Sequence, residues 1–181
     1  MLRFLFGVLL VNCSLVVGLA QLYKPVDNGS TISFSIKNFG VNTSGRFTGL
    51  QGTVHFTETD PGAAVFDMSI DATTITTGIK ARDSHLKKEE YFDISKFPRI
   101  AFVSKRVSIP DKRGVYSVTG LITIKGISKE INFPFTAVHQ PDGILFNASF
   151  KLNRRDFKVG GSSLALADNL VVTLSLFVKK V

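Results

Sequence analysis

Most of the chain alternates apolar and polar residues with a period of two. Thr31 to Lys37 (T-I-S-F-S-I-K) sets the pattern, placing Ile32, Phe34 and Ile36 on one face of a half-buried strand. Gly40, Asn42, Ser44 and Gly45 read as a turn or loop. A second strand follows from about Arg46 through Phe47 to Thr53-Val54-His55-Phe56-Thr57. Gly49 and Gly52 interrupt it in the way that bulges and sharp bends do at barrel corners. Beyond the turn at Asp60-Pro61-Gly62, Phe66, Met68, Ile70 and Ala72 share a face opposite Asp67, Ser69, Asp71 and Thr73. Arg99 to Ile109 is strand, and Pro110 to Gly114 a hairpin loop. Val115 to Lys125 follows, with Tyr116, Val118, Ile122 and Ile124 aligned around Gly120. Ile131, Phe133 and Phe135 line up in Ile127 to Val138, where Pro134 predicts a sheet edge or a bulge. Ile144 to Leu152 and Asn169 to Lys179 complete the series, their even positions all apolar. About eight strands joined mostly by tight turns predict an all-β chain forming a single eight-stranded antiparallel barrel.

One stretch, Thr74 to Ser104, departs from the alternation. Gly78 breaks the preceding strand, and Asp83 or Ser84 can cap a short helix running to about Phe92. Leu86, Tyr91 and Phe92 would then face inward, with Lys87, Lys88, Glu89 and Glu90 in water. Pro98 ends it and hands the chain back to strand. A single helix in a long connection of a barrel reads as a plug or lid.

The first twenty residues carry a different signal. Arg3 precedes an almost unbroken apolar run from Phe4 to Leu19, and Gly18-Leu19-Ala20 offers a small-residue cleavage site. The expectation is a signal peptide over residues 1–20, a barrel domain over 21–181, and a periplasmic or secreted protein. A transmembrane anchor and a lipidated Cys13 are the competing readings. Cys13 is the sole cysteine, so a chain cleaved after Ala20 has no disulfide and no thiolate. Its stability then rests on a core that 44% hydrophobic residues can supply. The net charge of +8 falls to +7 without Arg3. The basic residues are scattered and lack interleaved stacking aromatics, so nucleic acid is not an expected partner. Weak attraction to anionic headgroups is compatible with that charge.

Catalytic and metal-binding patterns are poorly formed. Arg82-Asp83-Ser84-His85 contains the residue types of a hydrolytic triad, but adjacent residues on one turn cannot place nucleophile, base and orienter in line. No G-x-S-x-G, H-x-H or H-E-x-x-H sequence occurs, and Gly160-Gly161-Ser162-Ser163 lacks the lysine of a phosphate loop. No metal and no cofactor is expected. Arg82 and Asp83 read either as an anchor for the helical segment or as a polar grip at a barrel mouth, and Arg154 and Asp156 present the same choice. Fourteen phenylalanines follow residue 20 and no tryptophan occurs, which supplies bulk without a polar handle. Periodicity alone leaves open whether they fill the lumen or line a cavity.

Three ordered motifs resemble the YceI-like family of lipocalin-like, polyisoprenoid-binding bacterial proteins. The first comprises Ile75-Thr76-Thr77-Gly78, Arg82-Asp83-Ser84-His85-Leu86, Tyr91-Phe92-Asp93 and Phe97-Pro98-Arg99-Ile100-Ala101-Phe102. The second is Gly120 to Lys129, and the third Asn153-Arg154-Arg155-Asp156-Phe157. Tyr23 stands where the family often has tryptophan, Asn38 where histidine is common, and Lys158 where glycine is usual. The resemblance implies an exported barrel holding a long-chain isoprenoid, quinone or fatty-acid-like lipid in an apolar cavity, for carriage or storage and without catalysis. Phe34, Ile36, Phe56, Met68, Phe102, Phe133, Phe135 and Phe146 are the candidate wall residues. Arg82, Asp83, His85, Arg154 and Asp156 are candidates for the mouth or for anchoring the helix. A homodimer and transient contact with a membrane surface are associations left open. Two other functions compete: an enzyme modifying a lipid or quinone with His85 or Asp83 as acid or base, and a filled barrel acting as a surface adaptor.

Overall fold

The computed structural model describes residues 21–109 and 114–181. The expected signal segment, Cys13 and residues 110–113 of the hairpin loop lie outside the described residues. Among the described residues nine strands form one antiparallel sheet: β1 (Leu22–Pro25), β2 (Thr31–Asn38), β3 (Val41–His55), β4 (Val65–Thr76), β5 (Arg99–Ser108), β6 (Val115–Ile124), β7 (Ile127–Gln140), β8 (Gly143–Asn153) and β9 (Leu166–Lys180). The eight long strands run in the order β3-β2-β9-β8-β7-β6-β5-β4, and a β3–β4 ladder closes the circle. This is the expected eight-stranded barrel. The four-residue β1, which the alternation did not reveal, bridges β3 and β9 at one end.

Closure depends on bending β3. Its register against β4 slips twice, between Arg46 and Thr48 and between Thr48 and Gln51. Gly49 (φ +75°) and Gly52 (φ +128°) take the backbone through these bulges. A Cβ on Gly52 would lie 2.1 Å from the Asp67 carbonyl oxygen, so no side chain fits there. Two side chains bolt the bend. The Asp27 carboxylate accepts the Gly49 and Leu50 amides at 2.9 and 3.0 Å, and Arg99 donates to the Gly49 carbonyl at 2.7 Å.

The two ends differ. The start of β1, the β3–β4 and β7–β8 connections and the C-terminus meet at one end, where Val54, Phe56, Ile144, Phe146 and Val178 are sealed from solvent. Phe56 is the hub of that core: its ring meets Phe146 edge-on at 5.1 Å and Tyr116 at 5.4 Å. Burial pushes the Tyr116 hydroxyl above its ordinary pKa. At the other end lie helix α1 (Lys80–Leu86), the turns that follow it, and the loop from Arg154 to Ala165.

Several boundaries differ from those read in the sequence. β3 starts at Val41, because Phe39-Gly40 suffices as a two-residue turn and Asn42 and Ser44 pair with Lys37 and Ser35. β9 starts at Leu166, three residues before Asn169. Helix α1 begins after Ile79, which offers no side-chain cap, and ends at Leu86 rather than near Phe92. Beyond it the amides of Lys88 and Tyr91 bond three residues back, to His85 and Lys88, and Asp93 turns left-handed (φ +48°). Neither Asp83 nor Ser84 caps the helix. Pro134 does sit at a local edge: β7 pairs with β8 only from Phe135 onward.

A Cβ on Gly143 would fall 1.8 Å from the Val178 carbonyl oxygen across the β8–β9 ladder. Gly143→Ala is therefore expected to destabilise the barrel by about 1–3 kcal/mol, read as a lower urea midpoint at unchanged slope.

Candidate functional site

The interior is a cavity of about 560 Å³ that is closed at the phenylalanine end and reaches the surface at the helix end. That volume lies in the range of small-molecule sites, roughly 300–1,000 Å³. Phe66, Phe135 and Phe146 form its floor, with Phe66–Phe146 ring centres 5.3 Å apart and Phe66–Phe135 5.5 Å apart. Met68, Phe102, Ile122, Phe133, Phe150 and Leu174 line the middle. Phe102 packs on Phe133 at 5.6 Å, and Phe133 stacks on Phe150 at 4.2 Å. Gly120 makes room for Phe102, because a Cβ there would sit 2.6 Å from that ring.

Toward the mouth the wall is formed by Phe34, Ile36, Phe47, Leu86 and Phe92, with Phe47 between Phe34 (5.8 Å) and Phe92 (5.6 Å). Polar groups appear only in this upper part of the lining in any density: Asn38, Thr43, Thr77, Arg82, His85, Arg154 and Ser163. Seven of the eight wall residues read from the sequence thus share one cavity. Phe56 does not reach it. It lies beneath the floor, 1% exposed, because the aromatic cluster closes above it. Phe47, Phe92, Phe150, Leu86 and Tyr91 join the lining without having been singled out as wall residues.

The mouth residues divide into those that face the cavity and those that hold the cover in place. Thr77 organises α1. Its hydroxyl donates to Asp83 Oδ1 at 2.5 Å and accepts from Arg82 Nε at 2.7 Å, while its amide donates to the same carboxylate oxygen at 2.7 Å. Thr76 Oγ1 donates to Asp83 Oδ2. Asp83 therefore fastens the end of β4 to the helix and is absent from the cavity lining. These bonds, Thr77 foremost and the Arg82 charge last, hold its carboxyl below the ordinary aspartate value of 3.8. Arg82 also donates to the Thr77 carbonyl at 3.0 Å, and its Nη1 makes no bond among the described residues. His85 Nε2 lies 2.6 Å from Glu90, and its ring meets Tyr91 edge-on. Glu89 diverges to Lys96.

Arg154 belongs to the second group, although it touches the cavity. It is 5% exposed, and its guanidinium donates to the carbonyls of Ala167, Val159, Gly161 and Leu166 and to Asp168 Oδ1. The partner is Asp168, not Asp156, which is exposed in a single turn of 3-10 helix. Arg154 thus spends its donors on the loop that flanks the mouth. Gly160 donates to the Glu90 carbonyl at 2.8 Å, joining that loop to the helical connection. Lys158, at the position where the family usually has glycine, is left-handed at φ +52°. Asp93, part of the first motif but given no role from the sequence, is a 4% exposed carboxylate that accepts from Ser95 Oγ and pairs with Lys96 to set the turn into Phe97.

Two outcomes follow. Arg154→Met strands four carbonyls and the Asp168 charge, so a loss of about 3–5 kcal/mol is expected in chemical denaturation. Asp83 is depressed in the folded state, so its contribution is full above the unfolded pKa and disappears as pH falls through the folded one. Asp83→Asn should therefore be less stable than the natural chain at neutral pH, and the gap should close below pH 3.8.

Comparison with known proteins agrees with this geometry. A family model described as the YceI-like domain matches residues 23–178. Protein YceI of Salmonella agona is 25% identical over 166 residues, covering 88% of this chain and 86% of its own length. The crystal structure of BcnA from Burkholderia cenocepacia superposes with a TM-score of 0.77 at 26% identity, over 82% of this chain and 95% of that one. A polyisoprenoid binding domain from Saccharophagus degradans, implicated in plant cell wall breakdown, shares the fold at a TM-score of 0.69 and 14% identity, over 88% and 98% of the two chains. With a barrel, a blind apolar cavity and a family match spanning both, the chain belongs to the YceI-like family.

Proposed function

We propose that the barrel binds a long-chain isoprenoid or a closely related amphiphile and carries or stores it without chemical change. The blind, aromatic-walled cavity is the observation that carries this reading. A tail entering at α1 passes Phe92 and Phe47, then Phe102, Phe133 and Phe150, and stops against Phe66, Phe135 and Phe146. Each Å² of apolar surface removed from water there is worth about 25 cal/mol, which favours a long hydrocarbon over a compact polar ligand. The polar head stays at the rim, where Arg82, His85, Thr77 and Asn38 face the opening. The polyisoprenoid-binding relative of the same fold supports this ligand class. The apolar run of residues 1–20 supports export to the periplasm or beyond with that segment removed.

Mass spectrometry of an organic-solvent extract of the protein purified from its native host tests the proposal. A stoichiometric isoprenoid is the expected result, and its head group identifies a quinone or an alcohol directly. Phe102→Asp and Phe133→Asp place a charge in the middle of the tail path and should each abolish retention of that lipid. An empty extract together with no uptake of added isoprenoid would overturn the proposal.

A further inference from the structure

The lip of the cavity carries apolar side chains that folding does not call for. Phe39 is 82% exposed, Val41 67% and Ile79 53%, and Leu164 is fully exposed. Three of the four form one lip. Phe39 and Gly40 are the two-residue turn between β2 and β3, Val41 follows directly, and the Phe39 amide donates to Ala165, the neighbour of Leu164. Ile79 precedes α1 on the neighbouring side of the mouth. The cavity lining joins the two sides through Asn38 and Thr43 on one and Thr77 and Arg82 on the other.

Phe39 is the most telling of these residues. Both turn positions have positive φ, +49° and +76°, the arrangement that favours Asn-Gly. A bulky aromatic side chain is poorly suited to the first of them. The Lys125-Gly126 turn between β6 and β7, at the same end, has the same backbone (φ +52° and +71°) with lysine in that place. Neither backbone preference nor core packing accounts for phenylalanine at position 39.

Charge selects the occupant. Lys37 and Lys80 flank the apolar lip, are exposed, and make no ion pair among the described residues. Most acids at this end are already engaged: Glu89 with Lys96, Glu90 with His85, and Asp168 with Arg154 and Arg155, with Asp156 the exception. A second copy meeting this lip across a twofold axis would oppose like charges. An anionic bilayer surface complements both features, taking apolar tips below the head groups and lysines at their level. We propose that Phe39, Val41, Ile79 and Leu164 dock the mouth on an anionic lipid surface, so that the cavity opens toward the bilayer. The role of this docking in ligand exchange rests on the lipid-carrier reading, whereas the docking itself is measured apart from it.

The test is cosedimentation of the protein, as isolated from expressing cells, with vesicles of equal parts phosphatidylglycerol and phosphatidylcholine, with bound lipid measured in the same samples. Phe39→Asn suits the left-handed turn and Leu164→Ser alters a fully exposed side chain, so the double variant retains the fold. It is expected to bind the vesicles roughly tenfold or more weakly than the natural chain while keeping its extracted lipid. Lys37→Gln with Lys80→Gln should weaken binding and flatten its salt dependence. Equal binding by natural chain and double variant, or none by either, overturns the docking surface. A natural dimer in light scattering that the double variant loses also overturns it, by assigning the lip to a second copy. Vesicle binding by a protein that neither holds lipid as isolated nor takes up added isoprenoid would instead sink the carrier reading and leave the docking intact.

Discussion

Closure of the sheet through β3 is the constraint on which the rest depends. Among the described residues every strand pairs with a neighbour on each side over at least part of its length, which closes the sheet on itself and forces an interior. β3 can pair with β2 and β4 together only because Gly49 and Gly52 let it turn through a corner, and Asp27 and Arg99 hold that corner from outside. With eight strands, the interior is wide enough to be filled or to remain hollow. Side-chain size decides which, layer by layer.

The two ends make opposite use of the same fold. At one, aromatic rings crossing edge-on around Phe56 pack to exclusion of solvent, and they make a wall against which a cavity can end. At the other, the rings of Phe34, Phe47 and Phe92 line the opening, and among the described residues no ring cluster closes it. The chain instead lays two irregular segments around the opening and ties them with polar bonds: Thr77 to Asp83 and Arg82, Gly160 to Glu90, and Arg154 to four carbonyls. Buried charge at Arg154 is tolerable because each donor has a fixed acceptor. The hollow is apolar and the apparatus holding it open is polar.

Much of this was legible in the sequence, for a simple reason. A strand with one face in the core and one in water must alternate, so Tyr116, Val118, Ile122 and Ile124, or Leu170 through Val178, announce both the strand and its phase. Alternation cannot tell height within the barrel, which is why Phe56 and Phe146 look alike although one lies below the floor and the other on it. It also fails where backbone bonds are made by side chains. Asp83 has the composition of a helix cap yet bonds backward to Thr76 and Thr77, and Arg154 finds Asp168 across a loop rather than Asp156 two residues away. Short β1 pairs at only a few positions, too few for a period to show.

The half-joined seam between β7 and β8 gives the cavity a character that a fully laddered wall would not have. From Pro134 back to Ile127 no backbone pairing joins β7 to β8, and the seam is held by Phe133 stacked on Phe150 and by Ile131 packed against the apolar cluster that includes Leu152 and Phe157. Aromatic and aliphatic contacts of this kind can slide and re-form with small rotamer changes, whereas ladder bonds must break. Along this flank side-chain packing takes the place that ladder bonds hold in the β6–β7 and β8–β9 seams. A change in cavity width there would need only rotamer shifts of Phe133, Phe150 and Ile131, not the breaking of backbone bonds.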